Sequence, residues 1–379
     1  MPDPGYPAAR AVAPRIQAHF ATHRPTGPAA AAAGGPAPPD LEDIEAMIDA
    51  AFWASLRREE GYVPRISLAL LPPDNAPHPL LFERPLPLSP GALVRVAPAV
   101  ERPSIHLGVW RVGPGGGLRV WGTTRTVPTS SFVLEVSAPG LLVVKHHRSD
   151  SGKFVNVAVL EGDEIKVIDE AASTLPDCPS LLSALLGFDL RESAALPENI
   201  TVQLAVSMRA HGRGGSLLIV PSNEDGWQES IVKPISYAVS PAFHELRDLV
   251  HARGTAPDRV WQDALDDAIR AIAGLTAVDG ATILTDRHEL VAFGAKITRR
   301  DGAASVEQVT VTEPIEGSDA LIVHPTRLGG TRHLSAAQFV HDQHNALALV
   351  ASQDGRFTVF AWSPCEEMVH AHRVESLLL

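Results

Sequence analysis

Cysteine is nearly absent from this chain: Cys178 and Cys365 are the only two in 379 residues, far apart and in unrelated settings, PDCPS and SPCEE. That excludes a disulfide framework and a structural zinc centre built on several thiolates. Long hydrophobic runs are missing as well. Stretches such as Leu217 to Val220 and Ala346 to Ala351 break within a strand's length, too short to cross a bilayer, so no membrane span is expected. The opening MPDPGYPAAR lacks the charged-then-apolar order of a secretion signal, and the expectation is a cytoplasmic, reducing location. Nor is there an excess of basic residues. The formal net charge is -12, which argues against direct binding of nucleic acid through a broad basic surface but leaves room for a small acidic ligand held by a local cluster of Arg and backbone N–H groups. No Gly-x-Ser-x-Gly elbow and no Walker-type phosphate loop occurs.

What is present reads as more than one domain. A chain of this length is comfortable for two cores, and composition divides it into four stretches. Residues 1–40, with PTGPAAAAAGGPAPP, have no apolar periodicity and are expected to form a disordered arm. Residues 41–175 begin with a helix, capped by Asp40, whose Ile44, Ile48, Phe52 and Leu56 recur every fourth position. They continue as short strands: ISLALL, LGVWRV, LRVWG, FVLEVS, LLVVK, FVNVAVL and EIKVI. Trp110 and Trp121, on two strands joined by a Gly-rich turn, are expected to pair across a hairpin and fill that core. Residues 176–198 form a connector. Residues 199–379 mix helices and strands, which predicts an α+β or α/β domain with a mixed central sheet flanked by helices.

Two segments place polar groups and glycine where a sheet meets a loop. Asp279-Gly280-Ala281 stands between a long helix and the strand TILT, so the carboxylate emerges at a strand end, where it could hold a divalent metal or accept a hydroxyl proton. Gly329-Gly330-Thr331-Arg332-His333 runs directly into a helix. Free N–H groups, the helix dipole and a guanidinium would converge there on a polyphosphate, the alternative being a satisfied helix cap with a surface Arg.

These two segments, DGATILTDRHELVAFGAKI and GGTRHLSAAQFVHDQHNALALVASQDGRFTVFAW, resemble the diadenylate cyclase domain in order and spacing, and RGGSLLIVPS upstream resembles that family's first core strand. The resemblance covers roughly residues 199–362. It implies that Asp279 contacts a Mg2+ or Mn2+ ion and the ribose hydroxyl, with Gly280 and Ala281 lining the site. It implies further that Gly294, Ala295 and Ile297 pack against adenine, that Gly330, Thr331, Arg332 and His333 hold the triphosphate, and that Ser352 and Gln353 approach the nucleotide. In the cyclases two such sites face each other, so a homo-oligomer is expected, with an adenine nucleotide as ligand.

The chain departs from the family pattern twice. Leu334 stands where the family has a second Arg, and Gln353 where it has a carboxylate. Losing both weakens metal binding and transition-state stabilisation together, which favours a nucleotide sensor over a working cyclase that makes cyclic di-AMP. A purely structural role is the third reading. In the N-terminal half, the AFWASLRREEG helix and the LGVWR…LRVWG hairpin resemble the accessory region of a divergent cyclase-like group of sensor domains, DACNV, in bacterial signalling or defence, implying an unknown protein partner for the β-rich module. The histidines at 324, 341, 344, 370 and 372 are better read as polar surface than as a metal centre, and Asp266 and Asp267 as the solvated side of an amphipathic helix.

Overall fold

The structure is a computed structural model that describes residues 5–23, 38–58, 61–101, 104–113, 116–148, 154–170, 195–252 and 258–379. The chain divides into two compact units, Met1–Ile168 and Asp169–Leu378, with Leu379 assigned to the first. Each has a mixed sheet and helices, so the protein is α+β. Most of the expected connector, at 176–198, lies outside the described residues. No helix among the described residues is long and apolar enough to cross a membrane.

The stretch expected to be a disordered arm carries a helix, α1 (Pro7–Thr22). Pro7 begins it, where a missing N–H leaves no bond unmade. Ala8, Ala9, Val12, Ala13, Ile16 and Phe20 make a buried face. An alanine-rich composition hid this periodicity, because small residues satisfy a helix face once something packs against them. The remainder of the arm, 24–37, lies outside the described residues.

In the first unit α2 (Leu41–Ser55) lies beside α1, and α3 (Pro90–Val96) comes later in the chain. The strands are β1 (Ile66–Leu70), β2 (Leu80–Pro87), β3 (His106–Arg111), β4 (Leu118–Thr124), β5 (Phe132–Ala138), β6 (Leu141–His147), β7 (Phe154–Glu161) and β8 (Glu164–Val167). They form one sheet in the order β2-β4-β3-β1-β5-β6-β7-β8, parallel at β1/β3 and antiparallel elsewhere. Val12, Ile16, Ile44, Met47 and Ile48 of the helices share one core with Leu68, Leu107, Leu134 and Leu142 of the strands. Asp43, buried on α2, is held by Arg111 of β3, with the guanidinium 2.6 Å from one carboxylate oxygen.

The two tryptophans are not opposite each other in the hairpin register, although Trp110 packs against the cluster that holds Trp121. Trp110 stands opposite Arg119. Trp121 joins a second, smaller cluster with Ala69, Leu71 and Val133, and its indole N–H donates to the Leu71 carbonyl at 2.9 Å. A register shift in the β3/β4 pair lays its ring over Gly108, where a Cβ would sit 2.0 Å from the indole.

The second unit contains α4 (Ala195–Ala210), β9 (Gly215–Val220), β10 (Tyr237–Phe243), α5 (Glu245–His251), α6 (Asp258–Leu275), β11 (Ala281–Thr285), β12 (Leu290–Ala295), β13 (Val309–Thr312), β14 (Leu321–Val323), α7 (Thr331–Asp342), β15 (Leu347–Ala351), β16 (Phe357–Ser363) and β17 (Met368–Arg373). Its nine strands run β10-β12-β11-β9-β15-β16-β17-β13-β14, parallel at β9/β11 and β13/β17. Alternation along the central strands feeds two cores. Leu217, Leu284 and Leu349 pack with α4 and α6, while Leu218, Ile283, Ala348 and Val350 pack with Ala336, Ala337, Phe339 and Val340 of α7.

His372 on β17 is buried, with its Nδ1 2.7 Å from the Thr312 hydroxyl. Burial, reinforced by His370, pushes its pKa from an ordinary 6.5 down to about 3. Between those values the unfolded chain binds a proton at this position and the folded chain does not. Stability is therefore full above pH 6.5 and is lost as pH falls towards 3. Thermal denaturation followed across that window should show a falling Tm in the wild type and a flatter profile in His372→Gln; an unchanged slope in the variant would remove His372 as the cause.

Candidate functional site

β11 is entered through Asp279 and Gly280, and Gly280 adopts φ +104. A Cβ there would lie 2.5 Å from the carbonyl carbon of Gly294 and 2.9 Å from the Ala295 oxygen, so the two backbones pass at a distance only glycine permits. Ala281 pairs with Ala295 and Ile283 with Ala292, which leaves one extra residue on β12. Gly294, at φ +62, sits within that irregularity as the left-handed residue of a bulge. The bulge turns the chain after it, and Ala295, Lys296 and Ile297 form one wall of a cleft.

The opposite wall is the start of α7. Its N-cap is Gly330, which offers no side chain to the helix's first N–H groups, and Thr331, Arg332, His333 and Ser335 face the cleft. His333 is 3% exposed, its ring folded over Gly329, where a Cβ would lie 2.4 Å from Nδ1. Its Nε2 is buried and has no hydrogen-bond partner among the described residues. Burial is the main reason its pKa lies below the ordinary value, so it is a neutral polar group and not a third cation. Arg332 is half-buried, with Nη1 lying over Gly214, and Lys296 is exposed; neither has an acidic partner among the described residues.

The floor and rim come from β9, the end of β15 and the turn after it: Ser216, Val350, Ala351, Ser352 and Gln353. Gln353 donates to the Arg213 carbonyl at 3.3 Å. The two main walls are tied together behind the cleft. Gln338 of α7 accepts from the Val306 N–H at 2.9 Å and donates to the Ala304 carbonyl, and the buried Asp342 accepts from the Arg300 N–H at 2.8 Å. The segment following Ile297 is thus anchored to the helix that carries Arg332.

The cleft has a volume of about 600 Å³. Its lining holds two cations, Lys296 and Arg332, and one carboxylate, Asp279, in a chain whose net charge is -12. Glycine-bordered backbone, an open helix N-terminus and unpaired cations of this kind suit a polyphosphate. One carboxylate fits a divalent ion that arrives with phosphate oxygens, since Mg2+ is commonly bound by one or two carboxylates plus substrate phosphates.

Of the residues singled out in the sequence, Asp279, Gly280, Ala281, Ala295, Ile297, Gly330, Thr331, Arg332, His333, Ser352 and Gln353 lie together on this lining. Gly294 does not line the cleft but backs Gly280 from behind. Leu334 turns away and packs on the core between α7 and the sheet. Lys296 and Ser216 were missed. Lys296 follows the last residue of β12 as a single charge between apolar neighbours, and nothing in that local pattern marks it as a lining residue. The cleft opens at the amino ends of the parallel pair β9/β11, the reverse of the usual carboxyl-end site. It does so because β15 is antiparallel to β9, and α7, which precedes β15, therefore starts at that end.

The histidines set aside as metal ligands have other occupations. His344 stacks on Trp362 with centroids 3.6 Å apart, His370 meets Glu366 at 2.8 Å, and His324 meets Thr326.

Residues 35–125 match the family model described as Probable sensor domain DACNV. That match lies in the first unit and does not reach the cleft. Among curated proteins none matches the chain. Among solved structures, the crystal structure of DacA from Staphylococcus aureus, a double cysteine mutant, is similar over 46% of this chain and 83% of that chain, at 13% identity and a TM-score of 0.24.

Proposed function

We propose that the second unit binds an adenine nucleotide or a cyclic adenine dinucleotide in the cleft between Asp279 and Arg332, and that the protein is a nucleotide sensor. The observation that carries this is the convergence of two segments distant in sequence, 279–281 and 330–333, on one cleft with two unpaired cations and a single carboxylate. The diadenylate cyclase resemblance of the same segments supplies adenine as the base. In this reading Arg332 and the first N–H groups of α7 take the phosphates. Asp279 faces the ribose or a phosphate-borne Mg2+ or Mn2+, and the Ala295–Ile297 wall takes the base. Turnover is disfavoured because Leu334 is packed in the core and Gln353 is neutral, so neither offers the charge that a nucleotidyl transfer would draw on. The first unit, which carries the sensor-domain match, passes the signal to a protein partner.

A working diadenylate cyclase is the second reading, and Lys296 favours it, because it puts a cation on the cleft that Leu334 does not. Incubation of the purified protein with ATP and Mg2+ or Mn2+, with calorimetry for binding and mass spectrometry for products, separates the two. The sensor reading expects binding without product and, in Asp279→Asn, weaker metal-dependent binding. Cyclic di-AMP that disappears in Asp279→Asn would establish the cyclase, and no affinity for any adenine nucleotide would remove both.

A further inference from the structure

A second pocket stands in the second unit at the other end of α7, with a volume of about 340 Å³. It lies at the carboxyl end of β9, since Pro221 follows that strand directly, and α/β sheets usually bind ligands at such ends. Trp227 and Ala346, both buried, give it an apolar base. Hydrogen bonds hold its walls. The Gln343 amide donates to the Gly226 carbonyl at 3.2 Å and to the Ser230 hydroxyl at 2.9 Å. Asp342 borders the pocket too, but its carboxylate accepts from the Gln338 amide and from the Arg300 N–H, both at 2.8 Å, and is occupied within the fold. His344 lies flat on Trp362, and partial burial is the first cause that favours its neutral form.

Two opposite charges remain on this lining. The Arg300 guanidinium and the Glu224 carboxylate are both exposed, and no ion pair joins them to each other or to a further group among the described residues. Glu224 accepts from the Asn345 amide at 3.5 Å. We propose that the pocket binds a small zwitterion of the α-amino-acid class, its carboxylate on Arg300 and its ammonium on Glu224. A guanidinium engages both oxygens of a carboxylate in a forked arrangement. The ammonium is favoured a second time by α7, which ends at Asp342 and brings the negative end of its dipole to this pocket. That helix end, with the carboxylates of Glu224 and Asp342, disfavours a phosphate, so the ligand class differs from the one that suits the cleft at the start of α7. The volume stands near the lower limit of ligand sites, which run from roughly 300 to 1,000 Å³, and so suits a molecule of amino-acid size. Trp227 and Ala346 offer the apolar surface on which its side chain would rest.

The test is calorimetry on the full chain with each of the twenty free L-amino acids as probe, alongside thermal denaturation. At least one is expected to bind with one equivalent per chain and to raise Tm. The carboxamide of that amino acid, which lacks the carboxylate, and its N-acetyl derivative, which lacks the ammonium, should each bind at least tenfold more weakly. Arg300→Gln and Glu224→Gln should weaken the parent amino acid by the same factor. Both side chains are exposed, and Arg300→Gln keeps the backbone N–H that Asp342 accepts from, so circular dichroism should stay unchanged. Arg299→Gln, at an exposed neighbour outside the lining, should leave binding intact. Absence of binding by all twenty, or full affinity retained in Arg300→Gln or in the carboxamide, would overturn the site.

Discussion

Arg332→Ala should lower the affinity for adenine nucleotides by one to two orders of magnitude while leaving the fold intact. The guanidinium is half-buried at the open end of α7 with no acidic partner among the described residues, so its charge is available to a ligand. A hydrogen bond to a charged group contributes about 1.5–3 kcal/mol, equivalent to roughly a ten- to hundredfold change in Kd. Because the side chain closes no internal ion pair, its removal should cost little stability, and calorimetry with ATP and thermal denaturation on the same sample separates the two effects. Arg332→Lys should recover only part of the affinity, since an ammonium cannot engage two phosphate oxygens in the planar, forked manner of a guanidinium. Unaltered affinity in Arg332→Ala would move the phosphates elsewhere and leave the start of α7 without a role in binding.

The second large effect is expected at Gly280, through the backbone. An L-residue at φ +104 costs about 1–3 kcal/mol before any contact is counted. The new Cβ would in addition press on three backbone atoms of β12, at 2.5, 2.7 and 2.9 Å, and a strand cannot retreat as a flexible side chain would. Gly280→Ala should therefore lower Tm by roughly 5–10 °C, taking about 2–4 °C per kcal/mol for a unit of this size. Nucleotide binding should fall with it, because β12 ends at Ala295 and leads directly into Lys296 and Ile297. Gly330→Ala is the matched control. It is a cleft glycine at φ -77 whose added Cβ would meet nothing within 4 Å, and its Tm should scarcely move. Equal stability losses in the two variants would mean that the close passage of β11 and β12 is not what requires glycine at 280.

Much of the candidate site was legible in the sequence because its residues sit in two contiguous runs. Asp279-Gly280-Ala281 and Gly330-Thr331-Arg332-His333 each announce a strand start or a helix start through local chemistry alone. Lys296 was not legible. A lysine just past a strand end can go either way, and the path of the chain there follows an extra residue in the β12 pairing, a property of two strands together. The register of Trp121 escaped for the same reason: hairpin spacing sets it opposite Trp110, but a register shift in β3/β4 lays it over Gly108, in a smaller cluster against which Trp110 also packs. α1 was lost to the Pro- and Gly-rich composition of the arm around it, and its buried face of Val12, Ile16 and Phe20 is filled out by small alanines that give little hydrophobic contrast in sequence.

By itself, then, the sequence determined where most strands and helices lie, the acidic charge balance and the residue types of both motifs, because periodicity, caps and turn residues act over a few neighbouring positions. The tertiary structure decided which face each irregular strand presents, the burial that keeps His333 and His372 neutral, and the placing of the cleft at the amino ends of β9 and β11. Those outcomes depend on contacts between segments distant along the chain, and no local pattern carries them.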